Sequence, residues 1–223
     1  MDDQNLEALS LRADAPAMSF YPPNFRFEVI RSFEDDGRLF MHVAQNPDGQ
    51  ENWVTMSLIG LGRNGASGVQ HQVTTRVHVT GNPDHTMIGG PRLLTSSEET
   101  ATSKAVVRDF VDTVLVRGET GRFGEMLDLT RFRTHNPRVA GGAASLRRLI
   151  EAEKQAEQPL RYRRVHEIVG CANFAAAFAT IEYRGKLYEA CDLFRVEAGL
   201  IVEHWDIAEA SAERFLASND RAI

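Results

Sequence analysis

The sequence predicts an α+β protein in which helices stand only before the second of two strand-rich segments. Three observations carry this. From Asn24 to about Val79 the runs NFRFEVIRSF, RLFMHVAQ, NWVTMSLIGL and GVQHQVTTRVHV are strand-like, and DDG, NPDG and GRNGASG break them where turns are needed. From Ser96 to about Ala156 the apolar period becomes helical. Four further strand-like runs, LRYRRVHEIV, NFAAAFATIEY, KLYEACDLFRV and LIVEHWDIAEA, then close the chain.

Taken in order, residues 1–23 end in Tyr21-Pro22-Pro23, where two prolines stop any helix, and read as an N-terminal arm. Residues 24–95 form an antiparallel meander followed by a Gly- and Pro-rich linker from residue 80. Residues 96–223 form a second, complete unit. It opens with Ser96 and Glu99 in a capping-box pattern, followed by Val107, Phe110, Val111, Val114 and Leu115 on one helical face. A helical turn is expected at Arg122–Leu127, and a helix around Leu146, Leu149 and Ile150. The tail SAERFLASND reads as a final helical turn.

The two strand sets resemble each other, each starting at a proline-led aromatic and basic strand and ending on a strand that bears a histidine, His71 or His204. Either an internal repeat has lost its helices in the first copy, or two unrelated meanders coincide. A lone first sheet would leave one apolar face in water, so it is expected to pack on the second sheet within the chain; a homodimer is the competing solution.

Composition narrows the function classes. The chain has 223 residues, 25 basic and 31 acidic, for a net charge of −6. A pI near 5.7 gives no general attraction to nucleic acid. No apolar run approaches a membrane span, and the N-terminal MDDQNLEALS is acidic where a secretory signal would be basic, so a cytoplasmic location without membrane or nucleic-acid partners is expected. Cys171 and Cys191 make no disulfide framework and read as small hydrophobes.

Several motifs dissolve on inspection. Gly60-Leu61-Gly62-Arg63-Asn64-Gly65 matches a dinucleotide fingerprint, but a strand follows it where a helix is required. His71 and His78, seven residues apart on a strand, face opposite ways and cannot share a metal. Three features fit one another better: His135-Asn136-Pro137 before a glycine-rich loop; Asp192 in mid-strand between Cys191 and Leu193; and Glu203-His204-Trp205-Asp206 on the last strand. Each has a structural alternative, with His135 capping a loop, Asp192 bonded to an arginine, or Trp205 in the core. Together they suggest a pocket.

The order helix, short helix, HNP loop, helix and strands ending DLFRVEAGLIVEHWD resembles the SnoaL-like polyketide cyclase branch of the nuclear-transport-factor-2-like superfamily, over about Ser97 to Glu209. The resemblance implies a cone-shaped, curved antiparallel sheet wrapped by helices, with a pocket for an apolar small molecule and commonly a dimer through the sheet. It implies an aspartate acting as acid and base without metal or organic cofactor, in an aldol cyclase, isomerase or dehydratase. Asp192 matches that aspartate. The preceding strand reads AAAFAT and lacks the second polar group of those cyclases, so His204 or His135 is expected to substitute. Tyr188, Asn136, Trp205 and Phe194 are the expected substrate-binding residues, with Tyr188, Ala190, Asp192 and Phe194 on one strand face. The same fold also serves non-catalytic ligand-binding or assembly modules, which is the alternative reading.

Overall fold

In the computed structural model, residues 26–46, 52–63, 65–78 and 85–211 are described; the N-terminal arm, Phe25 and the tail after Ser211 lie outside them. Strands β1 (Arg26–Asp35), β2 (Arg38–Asn46), β3 (Trp53–Gly62) and β4 (Gly65–Arg76) form an antiparallel meander in chain order. Asp36 and Gly37 turn β1 into β2 with φ of 49° and 70°, the left-handed pair that matches strand twist in a two-residue hairpin. The glycine fingerprint lies at the β3–β4 hairpin and leads into a strand.

A 3₁₀ turn, Ser97–Glu99, leads into α1 (Thr100–Phe110), whose axis runs on as a π-helical stretch, Val111–Val116. The Ser96 hydroxyl accepts from the Glu98 N–H, while the Glu99 carboxylate accepts from the Thr95 hydroxyl instead of reaching back as a capping box would. Then follow α2 (Phe123–Met126), β5 (Arg133–Thr134), α3 (Ala143–Gln155), β6 (Arg161–Cys171), β7 (Phe174–Tyr183), β8 (Lys186–Glu197) and β9 (Leu200–Ala210). The second sheet has the order β5-β9-β8-β7-β6, antiparallel except where β5 joins β9 in parallel. Bulges in β6–β7 and β8–β9 bend it. Among the described residues no helix is long and apolar enough to cross a membrane.

The second sheet separates two cores. On one face Ala175, Ala177, Phe194, Val196 and Ile201 pack under Val107, Phe110, Val111 and Val114 of the first helix and under Leu146 of α3. The alanines of β7 leave room there for the bulky helix residues. On the other face Phe174, Phe178, Leu193, Trp205 and Ile207 meet Phe33, Phe40, Val54, Met56, Leu58 and Val73 of the first sheet. The two sheets therefore pack face to face within one chain. The inner face of β2 is Phe40 and His42, both 0% exposed, whereas Leu39 and Met41 are half-buried. Register decides this, since Phe40 pairs with Leu58 and His42 with Met56. Phe27 and Val29, beyond the bulge in β1, remain exposed. Cys191 is buried in the sheet–sheet core and Cys171 packs at its margin, both as free thiols.

Candidate active site

Strand alternation sends successive residues of β8 and β9 to opposite faces. Asp192 pairs with Asp206, and Phe194 with His204, so these four side chains share the helix-side face. There the His204 Nε2 lies 2.9 Å from Asp192 Oδ1, and the Tyr162 hydroxyl of β6 donates to Asp192 Oδ2 at 2.9 Å. Phe194 stacks on the His204 ring at 4.6 Å and 9°, fixing the imidazole plane. Asn136 Nδ2 donates to Asp206 Oδ2 at 2.6 Å, while Asp206 Oδ1 and His204 Nδ1 are buried with no hydrogen-bond partner.

A cavity of about 220 Å3 opens on Asp192, His204, Asp206, Tyr162 and Asn136. Its remaining wall combines Val114, Leu115, Leu146, Leu149, Ile150 and Leu160 with the charged Arg117, Arg138, Glu153, Lys154 and Arg161. No arginine bonds Asp192 among the described residues; its partners are Tyr162 and His204.

The electrostatics follow from burial and from two carboxyls facing one imidazole. Burial raises the Asp206 pKa, and the Asp192 charge adds to this against the opposing pull of His204, Arg138 and the Asn136 hydrogen bond. Burial alone would depress His204, but the Asp192 hydrogen bond and the Asp206 and Asp192 charges outweigh it and its pKa rises. Burial and the Asp192 charge push the Tyr162 phenol well above its ordinary value, so it remains a donor.

The expected site residues divide between the two faces. Asp192, His204 and Asn136 line the cavity, and Phe194 supports His204 from the core. Tyr188 lies further along β8, beyond the Asp192 cavity. Trp205 projects to the opposite face, where its Nε1 donates to Gly89 O at 3.0 Å and the Arg31 guanidinium lies 4.2 Å above its ring. His135 stacks on Trp205 at 4.4 Å, and its Nδ1 lies 2.8 Å from Thr86 O. Burial depresses the His135 pKa to about 3. It therefore belongs to the packing between sheets, because the backbone of His135 continues the β5 register beside His204 while its ring turns to the other side. Gly90, at φ +88°, passes so close that a Cβ would sit 2.8 Å from Trp205.

Sequence reasoning did not select Tyr162, and it named Asp206 in the Glu203–Asp206 run without giving it a role. For Asp206 the signal was present, since it stands two residues after His204 and so shares its face. Tyr162 lies two strands from Asp192 across the sheet, and no local pattern marks it. Among the described residues no three His, Cys, Asp or Glu side chains converge as metal ligands.

Neither a protein-family model nor a curated protein matches the chain. Solved structures do. A proposed ketosteroid isomerase from Kribbella flavida is 18% identical with a TM-score of 0.43, covering 52% of this chain and 83% of its own. An epoxide hydrolase of the LEH-like type from M. tuberculosis is 16% identical with a TM-score of 0.42, covering 50% and 85%. An NTF-2 like protein from Burkholderia xenovorans is 14% identical with a TM-score of 0.42, covering 52% and 88%. Each of these alignments covers about half of this chain.

Proposed function

We propose that the protein is a small-molecule enzyme that moves a proton beside a carbonyl group on an apolar substrate. The observation that carries this reading is the Asp192–His204 pair, 2.9 Å apart and lining a partly aliphatic cavity. A carboxylate has about four lone-pair positions, and Tyr162 and His204 occupy two. Asp192 therefore retains capacity to accept a proton from the carbon next to the carbonyl. As that C–H bond breaks, its electron pair moves toward the carbonyl oxygen, forming an enolate. His204 has a raised pKa and a buried Nδ1 with no partner, which suit its imidazolium to donate a hydrogen bond to that oxygen. Returning the proton from Asp192 to another carbon of a conjugated enolate completes an isomerisation; alternatively, the enolate attacks a second carbonyl of the substrate, whose oxygen then takes the proton from Asp192, giving an aldol closure.

The test is hydrogen exchange. Apolar cyclic ketones such as 2-tetralone are incubated with the protein in D2O, and loss of the α-proton signal is followed by NMR. Enzyme-dependent exchange is expected, and Asp192→Asn should reduce it about 100-fold or more while leaving the circular dichroism unchanged. Ketones that bind without any exchange above buffer would sink the catalytic reading in favour of a ligand-binding module.

A further inference from the structure

A second chamber, of about 520 Å3, borders the first. Asn136, Arg138, Leu160 and Asp206 line both cavities, so the Asn136–Asp206 hydrogen bond stands in the partition between them. One wall of the second chamber comes from the second sheet, with Tyr183 and Tyr188 set edge to face at 6.4 Å and Ala208 beside them. The other comes from the first half of the chain, with Thr75, His78 and Met87. Met87 is held there, since its sulfur accepts the His78 N–H at 3.2 Å.

We propose that the two chambers form one binding site, in which an elongated ketone places its carbonyl end at Asp192 and a distal aromatic ring between Tyr188 and Met87. The orientation rests on the function proposed above. Three observations support the union. The chambers share four residues. Asp206 lines both and carries a buried oxygen with no partner, a polar atom left for something that enters from either side. The smaller chamber holds the acid–base groups, while the larger offers tyrosine rings and a thioether, which suit a flat aromatic group. The first half of the chain thereby acquires a role in substrate choice, through a wall that the helix-and-sheet unit does not build by itself.

Calorimetric titration with two probes tests this: 2-tetralone, and 6-phenethyl-2-tetralone, which carries a phenyl ring on a two-carbon tether. The intact chain is compared with Thr75→Trp and Ala208→Trp, which fill the second chamber from half-exposed and exposed positions on opposite walls. The longer probe should bind the wild type about thirtyfold tighter than the shorter one. Both variants, with unchanged circular dichroism and melting temperature, should bring the longer probe to within about threefold of the shorter and leave the shorter unchanged. Equal affinities in the wild type, binding of neither probe, or equal weakening of both probes in the variants would overturn the proposal. A preference for the longer probe without α-proton exchange would remove the catalytic reading and leave the joined chambers standing. Exchange on 2-tetralone without that preference would do the reverse.

Discussion

Replacing Asp192 by asparagine should change the titration of His204 more than it changes the fold. In the wild type, burial opposes the imidazolium, while the Asp192 hydrogen bond and the charges of Asp206 and Asp192 favour it and prevail. A hydrogen bond to a charged partner contributes about 1.5–3 kcal/mol, so removing the carboxylate should lower the His204 pKa measurably. Burial then dominates. The sign of the stability effect follows. A histidine whose pKa is raised on folding stabilises the native state fully below its unfolded value near 6.5, and loses that contribution as pH rises through the folded value. The wild type should therefore lose stability relative to Asp192→Asn between the His204 midpoint of the variant and that of the wild type, and stability should run parallel with pH above it. Histidine Cε1–H resonances give the titration directly. A His204 midpoint that moves by less than half a unit would refute the coupling of these two side chains.

Other substitutions separate the faces of the same strands. Tyr162→Phe removes the 2.9 Å hydrogen bond to Asp192 and should cost about 1–3 kcal/mol in urea unfolding at pH 7; no change in midpoint would show that the bond is not formed in solution. Trp205→Phe loses the Nε1 bond to Gly89 O and part of the ring under Arg31, for about 1–3 kcal/mol, yet the His204 titration should be unaltered because the two side chains leave opposite faces of β9. Met56→Ala opens the fully buried contact between the sheets and should cost about 2–5 kcal/mol, read as a lower melting temperature. A variant that melts like the wild type would argue against face-to-face packing of the sheets.

Much of the fold could be read from periodicity, because the strands and helices here are long and their turn residues explicit. The run from Val107 to Leu115 marked the helix, and DDG marked a hairpin whose left-handed φ values the structure shows. Parity within a strand was harder. In β2, alternation alone cannot choose between Leu39 with Met41 and Phe40 with His42, since both sets contain large apolar groups; pairing with β3 makes the choice. In the site, Asp192 and His204 were legible as polar residues set in apolar strands. His135 was not, because a loop following a two-residue strand can direct its ring to either face. Tyr162 required knowledge of the sheet order, which carries it to Asp192 across β7.

Alternation in β8 and β9 also explains how the first half of the chain bears on the site from the opposite face of these strands. Asp192, Phe194, His204 and Asp206 look toward the helices; Cys191, Leu193, Trp205 and Ile207 look toward the first sheet. Asp192, Phe194, His204 and Asp206 are thus each bonded to a neighbour that packs against the first sheet. Arg31 reinforces this packing through Nε to Pro91 O at 2.8 Å and a second bond to Gly89 O, tying the loop that caps Trp205 to β1. Burial lowers the Arg31 pKa only to about 10, so it remains a cation over the indole at neutral pH. An apolar sheet face of this kind must be covered, and here residues of the same chain cover it, so this face is closed to a second copy. The cover also fixes the backs of the two strands from which proton transfer is proposed, holding Asp192 and His204 at hydrogen-bond distance in a cavity whose other walls come from the helices and loops.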